Sequence, residues 1–132
     1  MTRYPTLSDA LDLARRGLWV FPTAGKKPLV PWRNKSSSSQ DEVRALFSRP
    51  SSGRFPDIGI DCGKSGLVVV DLDVRDGKNG IEAWEKLKTD EGFTDSEAML
   101  VETGGGGRHL YFADPTGGLI RNSAGQLAPG VD

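Results

Sequence analysis

The sequence predicts an α+β domain built on mixed or antiparallel sheet. Helical and strand-like stretches follow one another as αβα and then ββαββ, without a regular βαβ alternation. The strands read at 98–102 and 108–112 are joined by a glycine turn too short for a crossover helix, so they pair antiparallel. A β-branched run, Val68-Val69-Val70, marks the most strongly specified strand of the chain.

The elements can be justified in order. Residues 6–16 place Leu7, Ala10, Leu11 and Ala14 at helical spacing, with Gly17 as the stop. Leu18-Trp19-Val20-Phe21 reads as a short strand ended by Pro22. Gly25, Pro28, Pro31 and the serine run 36–39 make 23–39 a long loop. Ser39 followed by Glu42 predicts a capping box for a helix that carries Val43, Leu46 and Phe47 and ends before Pro50. Residues 57–61 read as a strand, and 67–73 as a strand buried within the sheet. Asn79 and Glu82 predict the cap of a helix whose apolar stripe is Ile81, Trp84 and Leu87 and which ends near Gly92. After the two hairpin strands, the Gly-rich last twenty residues leave room for one short strand near Leu119-Ile120.

Composition bounds the function. A hydrophobic content of 36%, with three Trp and five Phe, supplies a core and excludes a disordered tail. No run approaches the ~18 apolar residues that a membrane span needs. The N-terminus lacks the apolar stretch of a signal peptide, and a cytoplasmic location is expected. Cys62 is the single cysteine, so neither an internal disulfide nor a Cys/His zinc site is available. Charge is segregated. Residues 1–54 carry ten Lys/Arg against four Asp/Glu, and residues 55–132 carry seven against fourteen. The 132 residues thus suggest one domain of two lobes, a basic N-terminal αβ lobe (1–54) and an acidic lobe (55–132). That division suits a protein that meets a polyanion with one part and metal ions with the other; a merely solvated surface is the plainer alternative.

Four features bear on chemistry. Asp71 and Asp73 stand two apart at the end of the apolar strand, so both carboxylates project from one face. Such a pair can share hard divalent cations, Mg²⁺ or Mn²⁺, although two Asp capping a turn into Arg75-Asp76-Gly77 would look the same. The run Thr103-Gly104-Gly105-Gly106-Gly107-Arg108-His109 holds more glycine than a hairpin requires. It lets backbone N–H groups approach phosphate oxygens, with Arg108 or His109 as a charged donor. On strand alternation His109, Tyr111 and Ala113 share one face, and Leu110 and Phe112 the other. Asp132 ends the chain in Pro129-Gly130-Val131-Asp132, and Lys26 and Lys27 lie in Gly25-Lys26-Lys27-Pro28 within the basic lobe. A solvated loop and a phosphate contact are both open for those lysines.

In this order, the pieces resemble the bifunctional primase-polymerase (Prim-Pol) N-terminal domain of the archaeo-eukaryotic primase superfamily. The resemblance runs from Gly17-Leu18-Trp19-Val20-Phe21-Pro22 through Gly25-Lys26-Lys27-Pro28, Ile58-Gly59-Ile60 with Cys62-Gly63, and the strand ending Asp71-Leu72-Asp73. It continues through the glycine–histidine run and Leu110-Tyr111-Phe112 to Pro129-Gly130-Val131-Asp132. It implies an αβ module packed on an RRM-like catalytic module. It implies Asp71, Asp73 and Asp132 as ligands of two Mg²⁺ or Mn²⁺ ions. Gly106, Gly107 and His109 would contact the nucleotide triphosphate, and Arg108, Lys26 and Lys27 join them as nucleotide-binding candidates from their charge and place in the sequence. Gly107 stands where many members of the superfamily carry Ser, so it offers no hydroxyl to the nucleotide. The family continues past the last Asp, which implies that this chain is a fragment truncated at its C-terminus. The activity implied is template-directed nucleotidyl transfer in DNA replication, catalysed by a DNA primase/polymerase of phage or plasmid type. The partners implied are a DNA template and primer, NTP or dNTP, and a C-terminal helicase domain or replication proteins absent from this chain.

Two other classes compete. A non-catalytic nucleic-acid- or nucleotide-binding module with an RRM-like sheet would expose aromatics on adjacent strands, for which Tyr111 is the one clear candidate. An Asp-x-Asp phosphatase would use the first Asp as nucleophile. It would need a downstream Lys and a further acidic pair on a larger parallel sheet, as a metal-dependent glycosyltransferase would need a larger chain.

Overall fold

Thr6 opens the first helix. Its hydroxyl accepts from the Asp9 amide (3.3 Å) while the Asp9 carboxylate accepts from the Thr6 amide (2.8 Å), so two helix-end donors are satisfied reciprocally. In this computed structural model, which describes residues 4–48 and 55–132, the chain folds as two compact units, Met1–Ser65 and Gly66–Asp132.

In the N-terminal unit, α1 (Leu7–Arg15) turns Ala10, Leu11 and Ala14 inward. They meet Val20 of β1 (Val20–Ala24) and Val43 and Phe47 at α3 (Gln40–Leu46). β1 is the centre of a three-stranded antiparallel sheet, between β2 (Lys27–Pro28) and β3 (Asp57–Ile60). The stretch 23–39, expected to be one loop, contains β2 and the single-turn helix α2 (Trp32–Lys35). Ser39 is the N-cap of α3, as expected, but its side chain makes no cap hydrogen bond. Its amide is instead drawn to the Ser37 hydroxyl (3.0 Å), so the expected capping box does not form. Pro50, the expected helix stop, lies outside the described residues. The short helix α4 (Cys62–Ser65) closes the unit. The Ser65 hydroxyl accepts from the Trp19 amide (2.9 Å), and buried Asp61 accepts from the Ser36 hydroxyl (2.8 Å). These ties, with the pairing of β3 to β1, place the division after Ser65, later than the break expected near residue 55.

In the C-terminal unit, β4 (Leu67–Leu72), β6 (Arg108–Ala113) and β5 (Met99–Glu102) form a second antiparallel sheet in the order β4-β6-β5. α5 (Gly80–Glu91) covers one face, packing Trp84, Ile81 and Leu87 against Leu72, Val70, Leu110 and Phe112. Its start is capped as expected, with Asn79 Oδ1 accepting from the Glu82 amide (3.1 Å). Gly92 ends it in the left-handed conformation (φ 71°) that glycine adopts without penalty. The Trp84 indole N–H donates to Asp95 (2.7 Å) and so ties the helix to the segment that follows. Two expectations need correction. β4 is not buried on both faces: only Leu72 is fully buried, because one helix covers one side of the sheet. No strand forms near Leu119-Ile120. Those residues follow a turn whose amides, Thr116 and Gly118, are held by the Asp114 carboxylate, and they lie exposed. The strand-like piece of the tail comes later, at Leu72↔Val131.

Candidate active site

The site is assembled by backbone pairing on the free edge of β4. Asp71 and Asp132 exchange both amide–carbonyl hydrogen bonds (2.8 and 2.9 Å), and the Asp73 amide donates to the Gly130 carbonyl (2.8 Å). Residues 130–132 therefore run antiparallel beside β4 as an isolated bridge, Leu72↔Val131, at the edge of the three-stranded sheet. Residues opposite one another in such a pair point to the same face, with Cα atoms about 5.5 Å apart. On the other side of β4, Asp71 stands opposite His109 of β6, and His109 opposite Val101 of β5. One row across the sheet thus reads Val101, His109, Asp71, Asp132, on the face away from α5. Asp73 is next along the chain on that face, and Tyr111 is the next such residue of β6 after His109.

Glycines permit the close approach. A Cβ on Gly80 would strike the Gly130 carbonyl and the Asp73 backbone. Gly130 itself has φ 79° and packs against the Asp73 carbonyl and the Gly80 amide. The two glycines let three backbone segments meet: the end of β4, the start of α5 and the tail. Gly107 plays a similar part, since its Cα lies against the Leu72 carbonyl with no room for a side chain.

Each carboxylate has a local partner. Asp71 Oδ1 is 3.5 Å from His109 Nε2, and the Tyr111 hydroxyl is 3.5 Å from Nδ1 on the other side of that ring. Asp73 Oδ1 accepts from the Arg75 amide (2.9 Å). That bond holds its carboxyl below the usual Asp value against the cost of desolvation, and the charges of Lys78 and Arg75 add to the effect. Asp132 Oδ1 accepts from the Gly125 amide (2.7 Å). With their side chains turned to these partners, no three His, Cys, Asp or Glu groups among the described residues converge as a ready metal cage. Like charges in one row repel, and each finds an N–H or imidazole instead. By donor type alone, three carboxylates are the all-oxygen ligands that a hard divalent cation takes.

The remaining candidate residues divide. His109 stands in the carboxylate row. Arg108 does not: it pairs with Leu72, so alternation places it on the α5 face. The glycine run is a closed turn, with the Thr103 amide donating to the Gly107 carbonyl and the Gly106 amide to the Thr103 carbonyl. Gly106 adopts φ 86°, and the amides of Gly104 and Gly105 have no backbone partner among the described residues. Lys26 and Lys27 are exposed at the β1–β2 turn of the N-terminal unit. Sequence reasoning passed over Arg75, whose side chain lies against Gly105. The only hint was its place two residues after Asp73.

The family model described as Bifunctional DNA primase/polymerase, N-terminal, matches residues 10–132. The chain belongs to this Prim-Pol family. No curated protein and no solved structure matches it. The match spans both units of the Prim-Pol chain and includes Asp71, Asp73, His109 and Asp132. Membership brings a nucleotidyltransferase-type enzyme of the primase/polymerase kind, with nucleic acid and nucleotide as partners. No helix among the described residues is long and apolar enough to cross a membrane.

Proposed function

We propose that this Prim-Pol chain carries out template-directed nucleotidyl transfer, joining an incoming NTP or dNTP to a primer 3′-hydroxyl with release of pyrophosphate during DNA replication. The observation that carries the reading is the backbone pairing of Asp71 with Asp132, which puts a third carboxylate beside the Asp71–Asp73 pair. These three would hold two Mg²⁺ or Mn²⁺ ions. Bound there, such ions lower the pKa of an attacking hydroxyl and neutralise charge on a leaving phosphate. His109, one strand over, would orient the triphosphate, and its ring is steadied between Asp71 and Tyr111. The C-terminal unit is read as the RRM-like catalytic module, supported by an antiparallel sheet with one helix-covered face and the acidic row on the other. The Lys and Arg side chains of the N-terminal unit, exposed at Arg15, Arg16, Lys26, Lys27, Arg33, Lys35 and Arg44, would grip template or primer phosphates.

The test is primer extension on a defined template with Mg²⁺ or Mn²⁺. The expected result is incorporation that follows the template and stops when EDTA removes the cation. Incorporation that ignores template sequence, or persists in EDTA, counts against the reading. Metal-dependent nucleotide binding with no extension under any primer arrangement favours the non-catalytic binding module instead.

A further inference from the structure

The C-terminal unit is acidic, with six Lys/Arg against twelve Asp/Glu, so the cations it does carry stand out. Most are engaged away from the carboxylates. Lys86 pairs with Asp90, and Lys88 with Glu85 and Asp95. Arg121 donates to the Gly118 carbonyl, and Arg108 falls on the α5 face. Beside Asp73 this leaves Arg75 and Lys78, whose side chains make no ion pair or hydrogen bond among the described residues.

Arg75 is fixed at two points. Its amide donates to Asp73 Oδ1 (2.9 Å). Its side chain rests where a Gly105 side chain would be: a Cβ there would come within 2.9 Å of Nε and 3.0 Å of Cζ. Gly105 is not left-handed, so its conformation does not demand glycine. The arginine occupies the space instead. A guanidinium, a loop with two backbone N–H groups that have no backbone partner among the described residues, and the carboxylate of Asp73 are therefore contiguous.

We propose that Arg75 is a nucleotide-binding residue whose guanidinium, seated on Gly105, takes oxygens of the β- and γ-phosphates of the incoming nucleotide. This rests on the nucleotidyl-transfer reading and deepens it. Arginine presents a planar fork that meets phosphate with two parallel hydrogen bonds, and it stays charged at any working pH. Next to a carboxylate suited to a divalent cation, it gives the distal phosphates a second positive partner. As pyrophosphate leaves, the same contact stabilises its charge. Arg75 thereby takes the part that the sequence alone suggested for Arg108.

The experiment is a binding titration of the full chain with dATP and, separately, dAMP in Mg²⁺. Arg75→Ala should weaken dATP binding about tenfold or more, the scale of one charge-assisted hydrogen bond, and leave dAMP within about twofold. Gly105→Ala supplies a second, independent arm. The new methyl can be accommodated only by moving the end of the Arg75 side chain, so the fold should survive and dATP binding should weaken severalfold. In the Arg75→Ala background, Gly105→Ala should then add nothing, because the displaced group is already gone. If wild type binds dATP and both single variants bind it equally well, Arg75 has no such role while the nucleotidyl-transfer reading stands. Equal loss of dATP and dAMP, or loss of DNA binding alone, also overturns the assignment. No dATP binding by wild type overturns both readings together.

Discussion

Asp132 shows how little of a site one residue carries by its type. An Asp beside Pro129-Gly130-Val131 has no meaning until its amide and carbonyl are locked to Asp71, which sets the side chain on the carboxylate face. His109 is different, since strand register alone puts it opposite Asp71. If His109 orients the triphosphate, His109→Ala raises the KM for nucleotide more than it lowers kcat, by about tenfold for removal of one charge-assisted hydrogen bond. Steady-state extension kinetics at varied nucleotide concentration check this. A pure kcat effect would place the histidine at the reacting atoms instead.

At the scale of elements, the tail, β4 and α5 depend on glycines at their meeting point. Gly130→Ala must place a Cβ at φ 79°, costing about 1–2 kcal/mol, and must push it toward the Asp73 carbonyl and the Gly80 amide. Urea unfolding should register that loss, and extension should fall further than the stability change explains, because the strain lifts Asp132 from Asp71. The tie between α5 and the segment after it is also testable. The Trp84 indole, and then Lys88, hold the Asp95 carboxyl below its ordinary 3.8. A carboxyl lowered in the folded state contributes stability above its unfolded pKa and loses it as pH falls through the folded value. Wild type should therefore lose stability on acidification below about pH 4, and Asp95→Asn should be less stable at pH 7 with a flatter acid limb in pH-dependent denaturation.

What the sequence made legible is mostly local. Asn79 and Glu82 announced the α5 cap because a cap is decided within four residues, and the Asp71/His109 neighbourhood followed from one hairpin and one strong strand. Ser39 misled because a nearer hydroxyl, Ser37, competes for its amide. A short strand is expected near Leu119-Ile120, whereas the tail pairs at Val131, because edge pairing with β4 joins residues far apart in sequence and no periodicity encodes it. Arg75 on Gly105 was hidden for the same reason.

For the whole molecule, the charge asymmetry survives the shift of the boundary. The first unit carries eleven Lys/Arg against six Asp/Glu, and the second six against twelve. If the basic unit grips DNA phosphates, affinity should fall steeply and linearly in a plot of log K against log salt. Replacing both Lys26 and Lys27 with Ala should weaken binding alike on different sequences and reduce that slope by about one for each phosphate no longer neutralised, as fluorescence anisotropy at several salt concentrations can read. An unchanged slope would leave these two lysines as solvated turn residues.

The central claim is that Asp71, Asp73 and Asp132 act as one site although the last is joined to the others only by strand pairing. Primer extension by Asp71→Ala and by Asp132→Ala, each confirmed as folded by circular dichroism, tests it most directly. Loss of a shared cation site removes several kcal/mol of transition-state stabilisation, so both variants should drop about a hundredfold or more in rate, and the double variant no further. Extension at wild-type rate by either variant would contradict the account.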